Sequence, residues 1–164
     1  MLNKVFKYID RTVEITVVII FILLVIVGSM QVFNRFVLNQ SLSWSEELQK
    51  YAHIWLVFLT IPIAYRRGSH LGMQVLTKKF SLKIQHALAI FNYILWLILA
   101  ALLMYYTTVI MKVTRFQSSP GLGIRMDYIY LGLLLGSTYL FIVVLRNMLN
   151  SFFILKNDKS KGEE

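Results

Sequence analysis

The chain has 164 residues, 57% of them apolar, with a formal net charge of +9 and a mean hydropathy of +0.64. A soluble domain of this length cannot bury so large an apolar fraction, so a membrane is the first expectation. The absence of cysteine excludes disulfides, thiolate metal sites and a cysteine nucleophile.

Four apolar stretches stand out, at about 13–33, 48–65, 85–111 and 127–149. A helix needs about 20 residues to cross roughly 30 Å of hydrocarbon, so each is long enough, the second only barely. Backbone groups in lipid must be satisfied within the segment, and long unbroken runs therefore predict helices rather than barrel strands. The expected fold is an all-α integral membrane protein with four transmembrane helices. Residues 1–164 would form a single membrane domain, with 150–164 a polar, disordered cytoplasmic tail.

The first stretch follows Lys4, Lys7 and Arg11, as a secretory signal would, but ends in Gln31, Asn34 and Arg35 rather than a small-residue cleavage site. It is read as a retained helix. Lysine and arginine number three before it, five in the second loop and four at the C-terminal end, twelve in all. Two around the first loop and three in the third face them across the membrane. By the positive-inside rule both termini are cytoplasmic, and the basic excess meets anionic lipid headgroups rather than nucleic acid.

Glu14 lies in the first helix within a turn of Arg11, near enough to the interface to snorkel or pair with it. The second helix opens on Ser43-Trp44-Ser45-Glu46, which fits a capping box between Ser43 and Glu46. Glu46 and Glu47 sit in the first turn, where the helix dipole favours negative charge, and Trp44 suits an interfacial anchor. Pro62 removes one backbone donor near the other end of this helix. The loop at about 66–84 mixes Leu71, Met73, Val75, Leu76 and Phe80 with Lys78, Lys79 and Lys83, a composition that accommodates a short interfacial helix.

The third helix places Asn92 and Trp96 on one face, where a buried Asn usually bridges helices. Pro120-Gly121-Leu122-Gly123 predicts a turn on the outer side. The fourth helix carries Gly132 and Gly136 four residues apart, a GxxxG pair that allows close backbone approach to a neighbour in this chain or in a partner.

Enzyme chemistry has little to build on. Of the three histidines, His53 and His86 fall at opposite ends of the derived topology and cannot share one iron, and no HExxH or Gly-rich phosphate loop occurs. The middle of each stretch is Leu, Ile, Val and Phe, with Thr60, Asn92 and Ser137 as mild exceptions, which leaves little to bind an ion. No cofactor is expected. The pattern favours a chain that packs against something else and supports it. The rival reading is a stand-alone, proton-coupled exporter using Glu14.

The block from 34 to 73 carries a resemblance. Arg35-Phe36-Val37, then Trp44-Ser45-Glu46-Glu47-Leu48, then Arg66-Arg67-Gly68-Ser69-His70-Leu71 resembles the small permease subunit of tripartite ATP-independent periplasmic (TRAP) transporters. The resemblance implies two partners: a large permease subunit that carries the substrate and sodium sites, and a periplasmic substrate-binding protein that delivers an organic acid. Such an acid would be a C4-dicarboxylate or a sugar acid such as sialic acid. It also implies a bacterial inner-membrane location and a non-catalytic scaffold role. On this reading Arg35, Trp44, Glu46 and Glu47 organise the periplasmic rim, and Arg66, Arg67 and His70 the cytoplasmic rim, against lipid or the large subunit.

Overall fold

In a computed structural model that describes residues 2–40, 42–68 and 81–161, the apolar stretches form four helices: α1 (Leu2–Phe36), α2 (Ser43–Gly68), α3 (Leu82–Thr114) and α4 (Met126–Lys161). Three contain stretches long and apolar enough to cross a membrane, over Phe6–Phe36, Ile84–Thr114 and Met126–Ser151. The second helix is not among them. It spans 26 residues, but Gln49, Lys50 and His53 dilute its first turns.

Each boundary has a local cause. The chain leaves α1 through Asn39, whose φ of 52° lies in the left-handed region that Asn tolerates better than most residues. Ser81 precedes α3 in an extended conformation, and its carbonyl accepts the amides of Ile84 and Gln85. The Ser81 side chain makes no capping hydrogen bond. The fourth helix continues through the residues expected to form a disordered tail. No glycine or proline interrupts the sequence between Gly136 and Gly162, so nothing stops the backbone ladder before Lys161. The expected interfacial helix falls largely on 69–80, outside the described residues, as does His70.

In space the helices run α1, α2, α4, α3: the second packs on the first and the fourth, and the fourth on the third. The GxxxG pair explains how α2 and α4 come so close. A Cβ on Gly136 would lie 2.3 Å from the Phe58 carbonyl oxygen, and one on Gly132 2.5 Å from the Trp55 indole. Pro62 contributes to the same contact. It has no N–H to return to Phe58, four residues earlier, so that carbonyl is free to face the Gly136 backbone. The neighbour of the glycine pair is therefore in this chain.

The core lies toward the Arg66 end, where Ile63 and Tyr65, Tyr93 and Ala100, and Tyr139, Leu140, Val143 and Val144 pack together from α2, α3 and α4. Tyr65 and Trp96 meet edge to face at 5.2 Å. Trp96, one turn after Asn92, makes the helix contact on that face. The Asn92 amide forms no hydrogen bond among the described residues. The outer helices instead expose apolar side chains along their length, among them Ile19, Ile22 and Ile26 on α1 and Phe91, Leu95 and Ile98 on α3. In water that surface would be untenable; against acyl chains or another apolar helix it is stable.

Candidate functional site

Two polar clusters close the bundle, one at each end of α2. At its C-terminal end Arg66 forks between two carboxylates of α1: one guanidinium nitrogen pairs with Asp10, the other lies 2.7 Å from Glu14 Oε1. Arg67 reaches the same Glu14 oxygen at 2.8 Å. The Tyr139 hydroxyl of α4 donates to Asp10, so three helices share the cluster. Glu14 pairs with these arginines and not with Arg11, which stays exposed on its own helix face. The cause is the antiparallel α1–α2 crossing, which brings the end of one helix to the beginning of the other.

At the N-terminal end the carboxylate of Glu47 accepts from the Ser119 hydroxyl and from the amides of Gly121 and Leu122, at 3.0 and 3.1 Å. The α3–α4 loop is shaped for this. Ser119 and Ile124 pair through their backbones, Gly123 takes a φ of 66°, and Pro120 turns the chain so that two successive amides face inward. A Cβ on Gly121 would lie 3.0 Å from the Glu47 oxygen, which leaves little room for anything but glycine. Above all the Ser119 hydroxyl, then the two amides, hold the Glu47 carboxyl below its ordinary value against the opposing cost of desolvation.

Glu46 faces the other way. It accepts from the Gln31 amide of α1 at 3.2 Å, and Gln49 donates to Gln31. The expected capping box does not form: Ser43 is already helical, so its hydroxyl cannot cap, and Ser45 instead donates to the Leu42 carbonyl at 2.7 Å. Gln31, Arg35, Leu42 and Glu46 line a cleft of about 210 Å³, where the exposed Arg35 guanidinium lies 6.0 Å from the Phe36 ring. Trp44 is half-buried, its backbone against Gly121.

The structure thus groups the anticipated residues into two separate ends. Glu46, Glu47, Trp44 and Arg35 occur at one and Arg66 and Arg67 at the other, with nineteen residues of helix, about 28 Å, from Glu47 to Arg66. Sequence reasoning missed Asp10 and Ser119. Asp10 had a local signal, since it lies four residues before Glu14 and so on the same helix face. Ser119 had none. Among the described residues no group of three or more His, Asp and Glu is placed to hold a metal ion.

Long apolar helices bound together by charge pairs at their ends define a small helical membrane protein. The chain belongs to the family described as the DctQ component of tripartite ATP-independent periplasmic transporters, whose profile matches residues 23–153, and is a TRAP transporter small subunit. Individual relatives agree. A TRAP transporter small permease protein of Haemophilus influenzae is 30% identical over 79 residues, 48% of this chain and 49% of that protein. A second from the same organism is 22% identical over 152 residues, covering 91% and 90%. The C4-dicarboxylate TRAP transporter small permease protein DctQ of Pseudomonas aeruginosa is 40% identical over 53 residues, 32% of this chain and 25% of its own length. The matched part thus spans about half the length of the first relative and most of the second.

Proposed function

We propose that the chain is the fixed, non-transporting membrane subunit of a sodium-coupled uptake system for organic acids, seated beside a large permease in a bacterial inner membrane. Both termini are cytoplasmic and all four helices cross the bilayer. The distance from Glu47 to Arg66 supports a spanning α2, since about 28 Å of helix matches the roughly 30 Å of hydrocarbon. The count of basic residues supports the orientation.

The observation that carries this reading is the engagement of Glu14 by Arg66 and Arg67. With both guanidinium groups on one of its oxygens, the Glu14 carboxylate is occupied in fastening α1 to α2, a use that disfavours a stand-alone exporter built on it. The charged groups instead serve to fasten helices, as a scaffold requires. Arg35, Trp44, Glu46 and Glu47 then form the periplasmic rim, and Arg66, Arg67 and His70 the cytoplasmic rim, against lipid and the large permease. A periplasmic binding protein delivers the substrate. The Pseudomonas aeruginosa relative favours a C4-dicarboxylate over a sugar acid such as sialic acid.

Reconstitution tests the division of labour. Liposomes holding this chain alone should show no sodium-driven uptake of a dicarboxylate, and adding the large permease and binding protein should restore it. Uptake by the chain alone would refute the scaffold role.

A further inference from the structure

Two Arg-Phe pairs stand at the same end of the molecule, one on each outer helix. Arg35-Phe36 closes α1, and Arg115-Phe116 directly follows α3. Both lie toward the Glu47 end, because α1 and α3 run opposite to α2 and α4. The two phenylalanines are 75% and 87% exposed, among the most exposed large apolar side chains on the chain. In each pair the guanidinium sits over its own neighbour's ring, at 6.0 and 5.2 Å. Among the described residues neither arginine has an acidic partner, whereas Arg125 at the same end is committed to Asp127. The apolar spans of both outer helices end at these dipeptides.

From this geometry we infer that the two Arg-Phe pairs are membrane-interface anchors, taking lipid phosphates on the guanidinium groups and the glycerol–acyl boundary on the rings. The inference rests on the spanning topology proposed above. An exposed Phe in water costs free energy that burial at the acyl boundary returns, and an arginine at headgroup depth meets phosphate in forked geometry. Placed on the two outermost helices, the pairs set the depth and tilt of the whole bundle, which one anchor alone cannot do. The opposite end does not use Arg66 and Arg67 this way, since Arg66 is engaged with Asp10 and Glu14 and Arg67 with Glu14.

The absence of cysteine makes a direct test simple. Single cysteines replace Val37 and Gln117, and Ile22 and Ile98 serve as mid-span controls, each labelled with a nitroxide on the full chain. The carriers are vesicles of phosphatidylethanolamine and phosphatidylglycerol. Collision with oxygen and with a water-soluble nickel chelate then reads depth. The anchors predict oxygen-rich controls and loop labels at one shared, headgroup-level depth. Phe36→Ser and Phe116→Ser should each move the adjacent label outward, read as a rise in nickel collision. Oxygen-rich controls with loop labels fully open to nickel and indifferent to the serine variants would overturn the anchors, and would mark the pairs as a surface for a soluble protein. Controls open to nickel would instead overturn the spanning topology itself.

Discussion

Arg66 on α2 places its Nη2 2.7 Å from Glu14 Oε1 on α1, while its other nitrogen holds Asp10. One guanidinium therefore bridges two acids that share a helix face, and Arg66 at 30% and Asp10 at 15% exposure are partly out of water. Removing it leaves like charges one turn apart with Arg67 alone to answer them.

Arg66→Ala should accordingly lower stability by about 1–3 kcal/mol, below the loss for a fully buried pair because solvent still reaches the cluster. Thermal unfolding in detergent reads this as a lower Tm. Arg66→Lys should recover only part, since an ammonium cannot fork between Asp10 and Glu14. A variant as stable as the parent would show that the cluster does not bind the helices.

Glu14→Gln addresses function rather than stability. In the assembled transporter it should leave sodium-driven uptake near the parent's level, with at most a modest loss of folded protein. Abolished uptake with assembly intact would instead identify Glu14 as a proton-coupling group.

The Glu47 latch should depend on pH in a defined direction. Its carboxyl is held below the ordinary value of 4.5, chiefly by the Ser119 hydroxyl. A depressed folded value means the contribution is fully present above 4.5 and is lost as pH falls through the folded value. Hydrogen exchange at the Gly121 and Leu122 amides should therefore stay slow at neutral pH and lose protection only in acid. In Glu47→Gln the protection should be weaker at neutral pH and should not change across the acid range. Exchange at those amides that ignores both acid and the substitution would break the link between α2 and the loop.

The two glycines of α4 should differ in cost. At Gly136 an added methyl meets the Phe58 backbone carbonyl, which cannot step aside, whereas at Gly132 it meets the Trp55 side chain. Gly136→Ala should cost about 2–3 kcal/mol and Gly132→Ala about 1–2, as overpacking does in tight interiors. Gly123→Ala should lose roughly 1 kcal/mol through its φ of 66° alone, because nothing lies within 4 Å of the added atom. Melting temperatures in one detergent rank the three, and equal values for Gly136 and Gly132 would mean that the backbones separate freely.

Much of the fold was legible because hydropathy and helix length are properties of single segments. The stretches at 13–33, 85–111 and 127–149 each fall within a long helix, and Pro120-Gly121-Leu122-Gly123 lies in a turn. The capping box at Ser43 failed for a local reason, the helix having started one residue early. Residues 150–161 are helical where disorder was expected, because polarity was taken for disorder when no breaker was present before Gly162.

By itself the sequence determined that the chain is helical, apolar enough for lipid and charged at the edges of α2, and its motif at 34–73 pointed to the family. Only the tertiary structure decided what those charges do. Glu14 meets Arg66 across 52 residues and Glu47 meets Ser119 across 72, contacts that depend on helix order and direction in space. A capping rule reads neighbours three or four residues apart, so it assigned Glu46 and Glu47 to their own helix. The α1–α2 crossing gave Glu46 to Gln31, and the α3–α4 loop, closing over the first turn of α2, took Glu47.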